Sequence, residues 1–517
     1  MAWPCDHSTD HDVRSHLSSG FCRKSVSRNF IAYLPSPQDQ CAEYLRLFRC
    51  VLKILIYNHF MKTSIWWIRR DLRLHDNPSL THALQQSEKV IPLFILDPAL
   101  LSSPPSNREL FLYAALKSLD SELRIRNSRL VVRRGAPLIV LQRMVSETGA
   151  SLIVAEADHS PYASMRDSNI GVHLPLETLS VLTVHPPQAV SKLDGTPYTV
   201  FTPFSKVWKT LPFAGKALGA PDILPEVPED IYSEEIPAGK TFDEFPASEN
   251  AARKRLSDFL TADIFKYQNA RNMLSEDGTS RISPYLKFGL LSMRECVQQV
   301  RLLIKHTEDH VFRESCDTFL NELIWREFFI SILAHFPHVA QQSFRENLRS
   351  IQWAQYPAGL RAWQEGRTGY PVVDAAMRQL LATGWMHNRA RMISASFLTK
   401  DLLIDWREGE KWFMQHLIDG DLASNNGGWQ WTAGTGTDAA PYFRIFNPSR
   451  QSEKFDPQGD YIRRWIPELS NVETQFIHTP WEFPQLEADY PPPMIDHNLA
   501  RERTLAAYQN AKRSWEN

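Results

Sequence analysis

Between residues 64 and 184 the chain alternates short apolar runs with segments of helical periodicity, and this alternation constrains the fold more than any other feature. Strands that alternate with helices form a parallel sheet with crossover helices, so the pattern predicts an α/β fold with a Rossmann-like N-terminal domain. No glycine-rich dinucleotide fingerprint follows the first run, which argues against an ordinary NAD site. The predicted strands are 64–68, 90–96, 130–132 and 152–155, and the predicted helices are 107–126 and 137–148.

A proline-rich stretch separates this region from the rest of the chain. Ten of the 34 prolines lie between residues 186 and 246, which favours an extended connection over regular elements. From residue 251 onward the patterns are mostly helical, as at 315–335 and 372–381. We therefore expect an α/β domain at 61–190, an interdomain linker at 191–250, and a larger, nearly all-α domain at 251–517.

Residues 1–60 precede the first patterned strand, and we interpret them as a disordered extension or as the product of a start codon assigned upstream of Met61. The spacing of their cysteines and histidines matches no standard zinc pattern, so no metal site is predicted. Cysteine is sparse after this segment, which favours a reduced, cytoplasmic protein, and no apolar run is long enough to span a membrane. Four of the six cysteines lie in the segment, namely Cys5, Cys22, Cys41 and Cys50.

The segment from Trp385 to Arg444 combines amides, glycines and tryptophans at a density that a structural core does not need. Its motifs are WMHNRARM at 385–392, WREGE at 406–410, DGD at 419–421 and NNGGWQW at 425–431. Glycine clusters cost backbone entropy unless something must approach the backbone closely. The segment therefore predicts a ligand site.

Two further segments carry candidate chemistry. The sequence GTSRISP at 278–284 precedes a helical stretch, and its hydroxyls, backbone N–H groups and guanidinium suit a phosphate, although a plain helix cap explains it too. The predicted helix around 321–328 places Glu322, Trp325 and Arg326 within one turn, so that a carboxylate, a ring and a cation face one region. An amphipathic helix with an ion pair accounts for the same residues.

Together with WIRRDLRLHDNP at 67–78, these motifs resemble the photolyase and cryptochrome family over about residues 63–510, with Ile68 standing where an aromatic residue is more usual. The resemblance implies that the helical domain binds one reduced FAD. It further implies a class I cyclobutane pyrimidine dimer photolyase, in which light drives an electron from the flavin to a flipped-out dimer in DNA and splits it. With a formal net charge of −2, contact with DNA must come from a local basic patch.

The resemblance also assigns residues. It implies that Asn425 offers its amide to the flavin N5 edge, that Glu322 contacts the dimer, and that Trp429, Trp406 and Trp353 form an electron relay to the surface. A buried Asp419 is expected to pair with Arg391, which compensates its charge. The implied FAD ligands are Tyr267, Thr279, Ser280, Arg281, Ile282, Ser283, Arg326, Arg391, Asp419, Gly420, Asp421 and Asn425. The implied DNA contacts are Arg271, Glu322, Trp325, Asn388, Arg389, Met392, Trp431 and Arg444.

The same residues bear on three alternatives to a photolyase that repairs cyclobutane dimers. Enzymes that repair the six-four photoproduct carry histidines where this chain has Asn388 and Met392, and they use them as acid and base. Plant-type photoreceptors carry an acid at the position of Asn425, and single-strand-preferring cryptochromes usually have tyrosine in place of Trp431. A nucleotide hydrolase built on the N-terminal sheet is the remaining alternative, and it would lack a flavin.

An antenna chromophore is a further expectation, with Arg108, Asp158 and Tyr162 as its candidate contacts. Folate-binding relatives place a glutamate near the position of Ser160, so the pattern favours 8-hydroxy-deazaflavin over methenyltetrahydrofolate. An ordinary surface loop explains these residues about as well. We expect a monomer that acts on dimer-containing DNA.

Overall fold

The computed structural model describes residues 62–213, 215–483 and 489–516, and the extension proposed for residues 1–60 lies outside them. The chain from residue 61 onward forms one compact unit. A five-stranded sheet occupies its N-terminal part, and helices dominate the remainder. The α/β fold with a larger helical part is therefore confirmed, whereas the domain limits at residues 190 and 250 stay a prediction.

The sheet is entirely parallel and has the strand order β3-β2-β1-β4-β5. Every residue of the central strand β1 is buried, which explains the apolar run from Ile65 to Ile68. The fifth strand was not predicted, because the exposed Glu177 and Thr178 interrupt the apolar run at this sheet edge. The strands are β1 (Thr63–Ile68), β2 (Lys89–Leu96), β3 (Val131–Arg134), β4 (Leu152–Glu156) and β5 (Leu176–Leu179).

Four helices connect these strands, and local sequence signals set their limits. Ser106 and Glu109 form a capping box at the start of the second helix. The third helix begins at Pro137 and ends before Gly149, whose φ of 65° suits the left-handed C-terminal position. The helices are α1 (Pro78–Gln86), α2 (Asn107–Ile125), α3 (Pro137–Thr148) and α4 (Pro161–His173).

The proline-rich connection contains a helix, α5 (Phe201–Thr210), so the expectation of an extended linker was wrong here. Phe204 and Trp208 are buried on one side of this helix at helical spacing. Pro203 lies in the first turn, where a missing N–H is tolerated. Proline content alone therefore concealed a short amphipathic helix.

The helical part surrounds a long central helix, α10, whose buried residues extend over most of its length. Among the helices of the described residues, none combines the length and apolarity that crossing a membrane requires. One π-helix, Phe397–Asp401, follows α13. The helices are α6 (Glu249–Thr261), α7 (Tyr267–Ala270), α8 (Ser283–Phe288), α9 (Met293–His306), α10 (His310–His335), α11 (Pro357–Glu365), α12 (Pro371–Thr383), α13 (Asn388–Ser396), α14 (Trp406–His416), α15 (Leu422–Ala433), α16 (Pro448–Phe455), α17 (Asp460–Trp465), α18 (Thr474–Ile477) and α19 (His497–Glu516).

One hydrophobic core is shared by the sheet and the helices, and it includes Trp66 of β1, Phe111 of α2 and Phe328 of α10. The two parts also meet through their backbones. Gly289 has a φ of 65°, and a Cβ atom at this position would lie 1.7 Å from the carbonyl oxygen of Arg70. Only glycine allows this approach, which fixes the end of β1 against the end of α8.

Candidate active site and interface cavity

A charged and aromatic cluster lies around the middle of α10. Arg271 Nη2 and Glu322 Oε1 form an ion pair at 2.8 Å, and both side chains are partly exposed. Burial raises the pKa of Glu322, and the positive charges of Arg271 and Arg389 oppose that rise. Trp325 lies one turn further along the helix and is half-buried. The predicted dimer contacts Arg271, Glu322 and Trp325 are therefore grouped together on α7 and α10.

Two more arginines extend this cluster toward the surface. The Arg389 guanidinium lies 4.3 Å from the centre of the Phe455 ring and donates a hydrogen bond to Asn272 Oδ1 at 2.6 Å. Burial lowers the pKa of Arg389, and repulsion from Arg271 and Arg444 lowers it further. Arg444 itself is exposed. The charges of Arg271, Arg389 and Arg444 therefore act on one another within this cluster.

His387 begins α13 and shows how cationic the interior of the site is. Its Nδ1 accepts a hydrogen bond from the Arg389 N–H at 3.1 Å, while its buried Nε2 has no partner within the described residues. Burial and the charges of Arg389, Arg281, Arg391 and Arg271 lower the pKa of His387 to about 3. The imidazole is therefore neutral. Arg271, Arg281 and Arg391 each pair with a carboxylate, whereas Arg389 donates to the Asn272 amide oxygen.

The ion pair expected between Arg391 and Asp419 is present, with Arg391 Nη2 donating to Asp419 Oδ2 at 2.8 Å. The Asp419 side chain is only 2% exposed. Its second oxygen, Oδ1, is buried and has no hydrogen-bond partner in the part of the chain that the structure describes. An unpaired buried acceptor is costly, so this atom calls for a donor from a bound molecule.

Residues 278–283 lie close to the same arginines. Arg281 has a φ of 50°, in the left-handed region that a non-glycine residue adopts at some cost. Its side chain pairs with Asp277 at 2.8 Å and Glu244 at 3.0 Å and lies over the Trp385 ring. The other predicted ligands here differ in exposure: Ser280 and Ile282 are buried, Thr279 is half-buried and Ser283 is exposed.

Tyr267 is buried, with its ring edge-to-face against Phe259 and Phe319. Burial is the main reason that its pKa is raised, and the negative charge of Glu322 adds to the effect. This position sets the tyrosine beside the cluster on α10.

These residues fit FAD. The molecule carries a diphosphate, which matches the arginines around His387, and a flavin ring whose N–H groups can donate to Asp419 Oδ1. Hydroxyl groups of Thr279, Ser280 and Ser283 add donors that suit phosphate oxygens.

Three predicted ligands make contacts that the sequence did not suggest. Asn425 Nδ2 donates to the backbone oxygen of Glu410 at 3.0 Å and to its Oε1 at 2.9 Å, so the amide is oriented by the protein itself.

Asp421 accepts from Arg70 Nη2 at 2.6 Å, and Arg326 donates to the carbonyl oxygens of Leu182 and Leu286. Glu322 and Arg326 thus have different partners, although one turn of helix separates them.

The glycines of the 385–444 segment make room for the protein's own rings. A Cβ atom on Gly427 would lie 2.2 Å from Phe329 Cδ1, and one on Gly409 would lie 2.0 Å from Trp429 Cη2. Gly428, in contrast, has open space around it. The expectation that these glycines admit a ligand was therefore wrong for Gly409 and Gly427, which permit close packing of helices.

The three tryptophans of the predicted relay belong to or border one core cluster. Trp429 and Trp406 are buried, and Trp353 packs against the cluster and is half-buried. The Trp429 ring lies edge-on to Trp363 at 6.0 Å and to Phe413 at 5.0 Å. Sequence reasoning missed Trp363, because it is an isolated residue in an amphipathic helix with no motif around it.

We expect Trp429→Phe to reduce the photoreduction of oxidised flavin to near background, because phenylalanine is much harder to oxidise than tryptophan. Repair by enzyme that has been reduced chemically should be spared. The measurement is the loss of flavin absorbance under illumination with an external reductant. Trp515→Phe changes an exposed tryptophan on α19 and is the matched control. Unchanged photoreduction in Trp429→Phe would remove Trp429 from the relay.

A cavity of about 370 Å³ lies where the carboxyl ends of the strands face the helices. All three predicted antenna contacts, Arg108, Asp158 and Tyr162, line it. Arg70 and Asp421 line it as well, so Asp421 faces this cavity. Ligands of parallel sheets bind at this edge, and the loop residues after β4 face the cavity there.

Charges inside the cavity are closely balanced. Burial and repulsion from Arg70 lower the pKa of Lys287 to about 7, whereas the attraction of Arg70 holds the pKa of Asp158 at about 2 against the effect of burial. Two guanidinium groups lie against the Trp67 ring, Arg69 at 4.7 Å and Arg166 at 4.8 Å from its centre, and both pair with Asp167. The cavity thus offers an aromatic wall with adjacent hydrogen-bond donors to a planar molecule.

Comparison with known proteins agrees with this arrangement. The family model for the FAD binding domain of DNA photolyase matches residues 319–510, and the DNA photolyase model matches residues 64–225. The deoxyribodipyrimidine photo-lyase of Escherichia coli strain K12 is 40% identical over 475 residues, which span 88% of this chain and 100% of the relative.

Solved structures give the same result. A bacterial class III photolyase from Agrobacterium tumefaciens is 36% identical, with a TM-score of 0.83 over 88% of this chain and 98% of the other. An archaeal photolyase from Sulfolobus tokodaii, whose crystal structure contains two FAD molecules, is 31% identical, with a TM-score of 0.75 over 87% of this chain and 100% of the other.

Proposed function

This chain belongs to the DNA photolyase family, and from that membership we propose that it is a light-driven deoxyribodipyrimidine photo-lyase that binds reduced FAD and splits cyclobutane pyrimidine dimers in DNA. The observation that carries the proposal is the grouping of Glu322, Arg271 and the half-exposed Trp325 beside arginines that face the surface. A basic rim around aromatic and carboxylate groups suits damaged bases turned out of a duplex.

Asn388 and Met392 support the dimer as substrate. Asn388 is exposed and Met392 is half-buried on α13, beside Arg389. Neither side chain can act as an acid or base near neutral pH, whereas six-four repair requires proton transfer. Splitting a cyclobutane ring needs only the passage of an electron, so these two residues favour an enzyme that acts on the cyclobutane dimer.

In this mechanism the protein's residues position the substrate and exclude water. Trp325 and Trp431, both half-buried, stack against the flipped pyrimidines, while Glu322 holds their polar edge and is itself oriented by Arg271. Arg271, Arg389 and the exposed Arg444 hold the phosphates on either side. Bound, reduced FAD would supply light-driven, reversible transfer of one electron to the dimer, and Asp419, Arg391 and Asn425 would hold its flavin ring.

Other residues prepare the cofactor site. Arg391 orients the buried Asp419 as an acceptor for the flavin ring, and Glu410 holds the Asn425 amide in one orientation. Tyr267 and residues 279–283 surround the diphosphate together with the arginines near His387. Trp429, Trp406 and Trp353 would conduct electrons from a reductant at the surface to oxidised cofactor.

One assay tests the function. Chemically reduced protein is mixed with an oligonucleotide that carries a defined thymine dimer, and the restored thymines are counted after illumination and in darkness. Light-dependent restoration is expected, and undamaged DNA should stay unchanged. A flavin-containing protein that restores no thymines under light would instead be a light sensor of the cryptochrome kind.

We expect Arg444→Ala to weaken binding to dimer-containing and undamaged DNA alike, because the side chain contacts a phosphate. The slope of log affinity against log salt should fall by about 1, the value for one lost phosphate contact. Arg450→Ala changes another exposed arginine on the adjacent helix and is the control. An unaltered salt slope in Arg444→Ala would contradict a phosphate contact at this position.

The interface cavity holds the antenna chromophore in this proposal, with Arg108, Asp158 and Tyr162 as contacts. Its aromatic wall and the arginines against that wall support 8-hydroxy-deazaflavin over methenyltetrahydrofolate. The absorbance spectrum of the chromophore released on denaturation distinguishes the two.

The buried free thiols of Cys296 and Cys316 support a reducing, cytosolic location in a bacterium, and we propose that the protein acts as a monomer.

A further inference from the structure

Phe201, at the start of the linker helix α5, stacks on Trp325 of α10. The two ring centres are 3.8 Å apart, and the planes are inclined by only 5°. Both side chains are half-buried. A nearly parallel stack at this distance covers one face of the indole, so that only its other face and its edges remain for a base.

Several contacts hold this stack in place. The Phe201 N–H donates to Asp438 Oδ2 at 3.1 Å, which ties the start of α5 to the segment that leads to Arg444. Phe328 lies edge-on to both rings, at 6.0 Å from Phe201 and 5.5 Å from Trp325. Phe329 contacts the indole from the same helix at 5.4 Å.

The two residues that follow Trp325 on α10 form hydrogen bonds with the linker and with the segment before it. Arg326 donates to the carbonyl oxygen of Leu182, while the buried Glu327 accepts from the Val184 N–H at 2.5 Å and from Trp208 Nε1 at 2.6 Å. The Trp208 bond joins α5 itself to α10, and the bonds of Leu182 and Val184 fix the segment that precedes the linker. The helix α5 therefore cannot shift relative to α10 without breaking the Trp208 bond. The face that Phe201 presents to Trp325 is therefore fixed.

We propose that Phe201 is a positioning residue for dimer recognition, which fixes the orientation of the Trp325 ring before DNA arrives. This inference rests on the proposed function, because it takes Trp325 as a contact of the flipped dimer. A side chain that already has its bound orientation loses less rotational freedom on binding, so affinity rises without a new contact to DNA. The linker then contributes to substrate selection through its contact with the Trp325 ring.

The test compares Phe201→Leu with wild type in equilibrium binding and in repair. We expect affinity for dimer-containing DNA to fall by about 3- to 10-fold, the range expected for one aromatic pair. The affinity for undamaged DNA, the flavin content and the repair yield at saturating substrate should not change. Phe201→Tyr keeps the stacked ring and should restore affinity.

Phe204→Leu is the matched control, since Phe204 is buried one turn further along the same helix and packs against Phe328 instead of Trp325. It should lower the melting temperature without altering dimer affinity. If Phe201→Leu is too unstable to purify with flavin, Phe201→Met provides the same loss of ring with a flexible side chain.

A double-mutant cycle completes the experiment. In a Trp325→Ala background, Phe201→Leu should have no further effect on dimer affinity, because its influence passes through the indole. Equal affinities of wild type and Phe201→Leu, or full additivity with Trp325→Ala, would overturn the inference. Failure of the wild-type protein to repair dimers would instead overturn the proposed function, so the two failures are distinct.

Discussion

Replacing Arg391 with methionine is expected to lower the free energy of unfolding by about 3 kcal/mol, because it leaves Asp419 as an uncompensated buried charge. The Arg391 side chain is 25% exposed and that of Asp419 only 2%, so the aspartate bears the cost. Loss of bound flavin should accompany the change, since the orientation of Asp419 depends on the pair. Urea denaturation and the flavin absorbance of the purified protein measure the two effects.

Arg378→Met is the matched control for this variant. Arg378 pairs with Glu468 at 2.8 Å, but both side chains are partly exposed, and such pairs are worth about 0 to 1 kcal/mol. Combining Arg391→Met with Asp419→Asn should recover much of the free energy of unfolding, because the buried charge is removed. Flavin should stay absent, because the site still requires the Asp419 carboxylate as an acceptor. A stable, flavin-replete Arg391→Met protein would contradict the role of the pair.

Alanine at Trp325 or Trp431 is expected to weaken binding to dimer-containing DNA by about 10- to 100-fold each, within the range measured for a lost base-stacking ring. Binding to undamaged DNA should change little, because phosphate contacts from Arg271, Arg389 and Arg444 remain. The informative quantity is therefore the affinity for dimer-containing DNA divided by the affinity for undamaged DNA. This ratio should fall toward one in the double variant.

Trp515→Ala serves as the reference for this pair of variants, because it removes an exposed indole far along the chain on α19. Flavin content and light-driven electron uptake should be normal in all four proteins. A loss of affinity for both kinds of DNA would indicate damage to the basic patch. Retained discrimination in the double variant would show that other groups read the dimer.

The sheet was predictable because its signals are local. Buried parallel strands have unbroken apolar sequences, and Pro137 and Gly149 mark the limits of α3 at the residues expected. The edge strand β5 and the linker helix α5 were missed for opposite reasons. Polar residues hide the strand, and surrounding prolines hide the helix, whose buried side depends on packing against α10.

The candidate site likewise has one part that the sequence predicts and another part that depends on tertiary packing. The Arg391–Asp419 pair was predictable, since a buried carboxylate needs a cation and the motifs contain one. The pairing of Asp421 with Arg70 joins residues 351 positions apart, and it depends on how the sheet docks against the helices. Phe201 and Trp363 carry no motif, so only their ring contacts reveal them.

The shared core has a consequence for biosynthesis. Its members range from Trp66 to Ala423, so the apolar surface of the first-made strands is covered by helices that leave the ribosome much later. At translation rates of about 5 to 20 residues per second, the emerging N-terminal part waits about 20 to 70 s for its partner. The nascent chain should therefore recruit chaperones during this interval, and a truncated N-terminal fragment should aggregate when it is expressed alone.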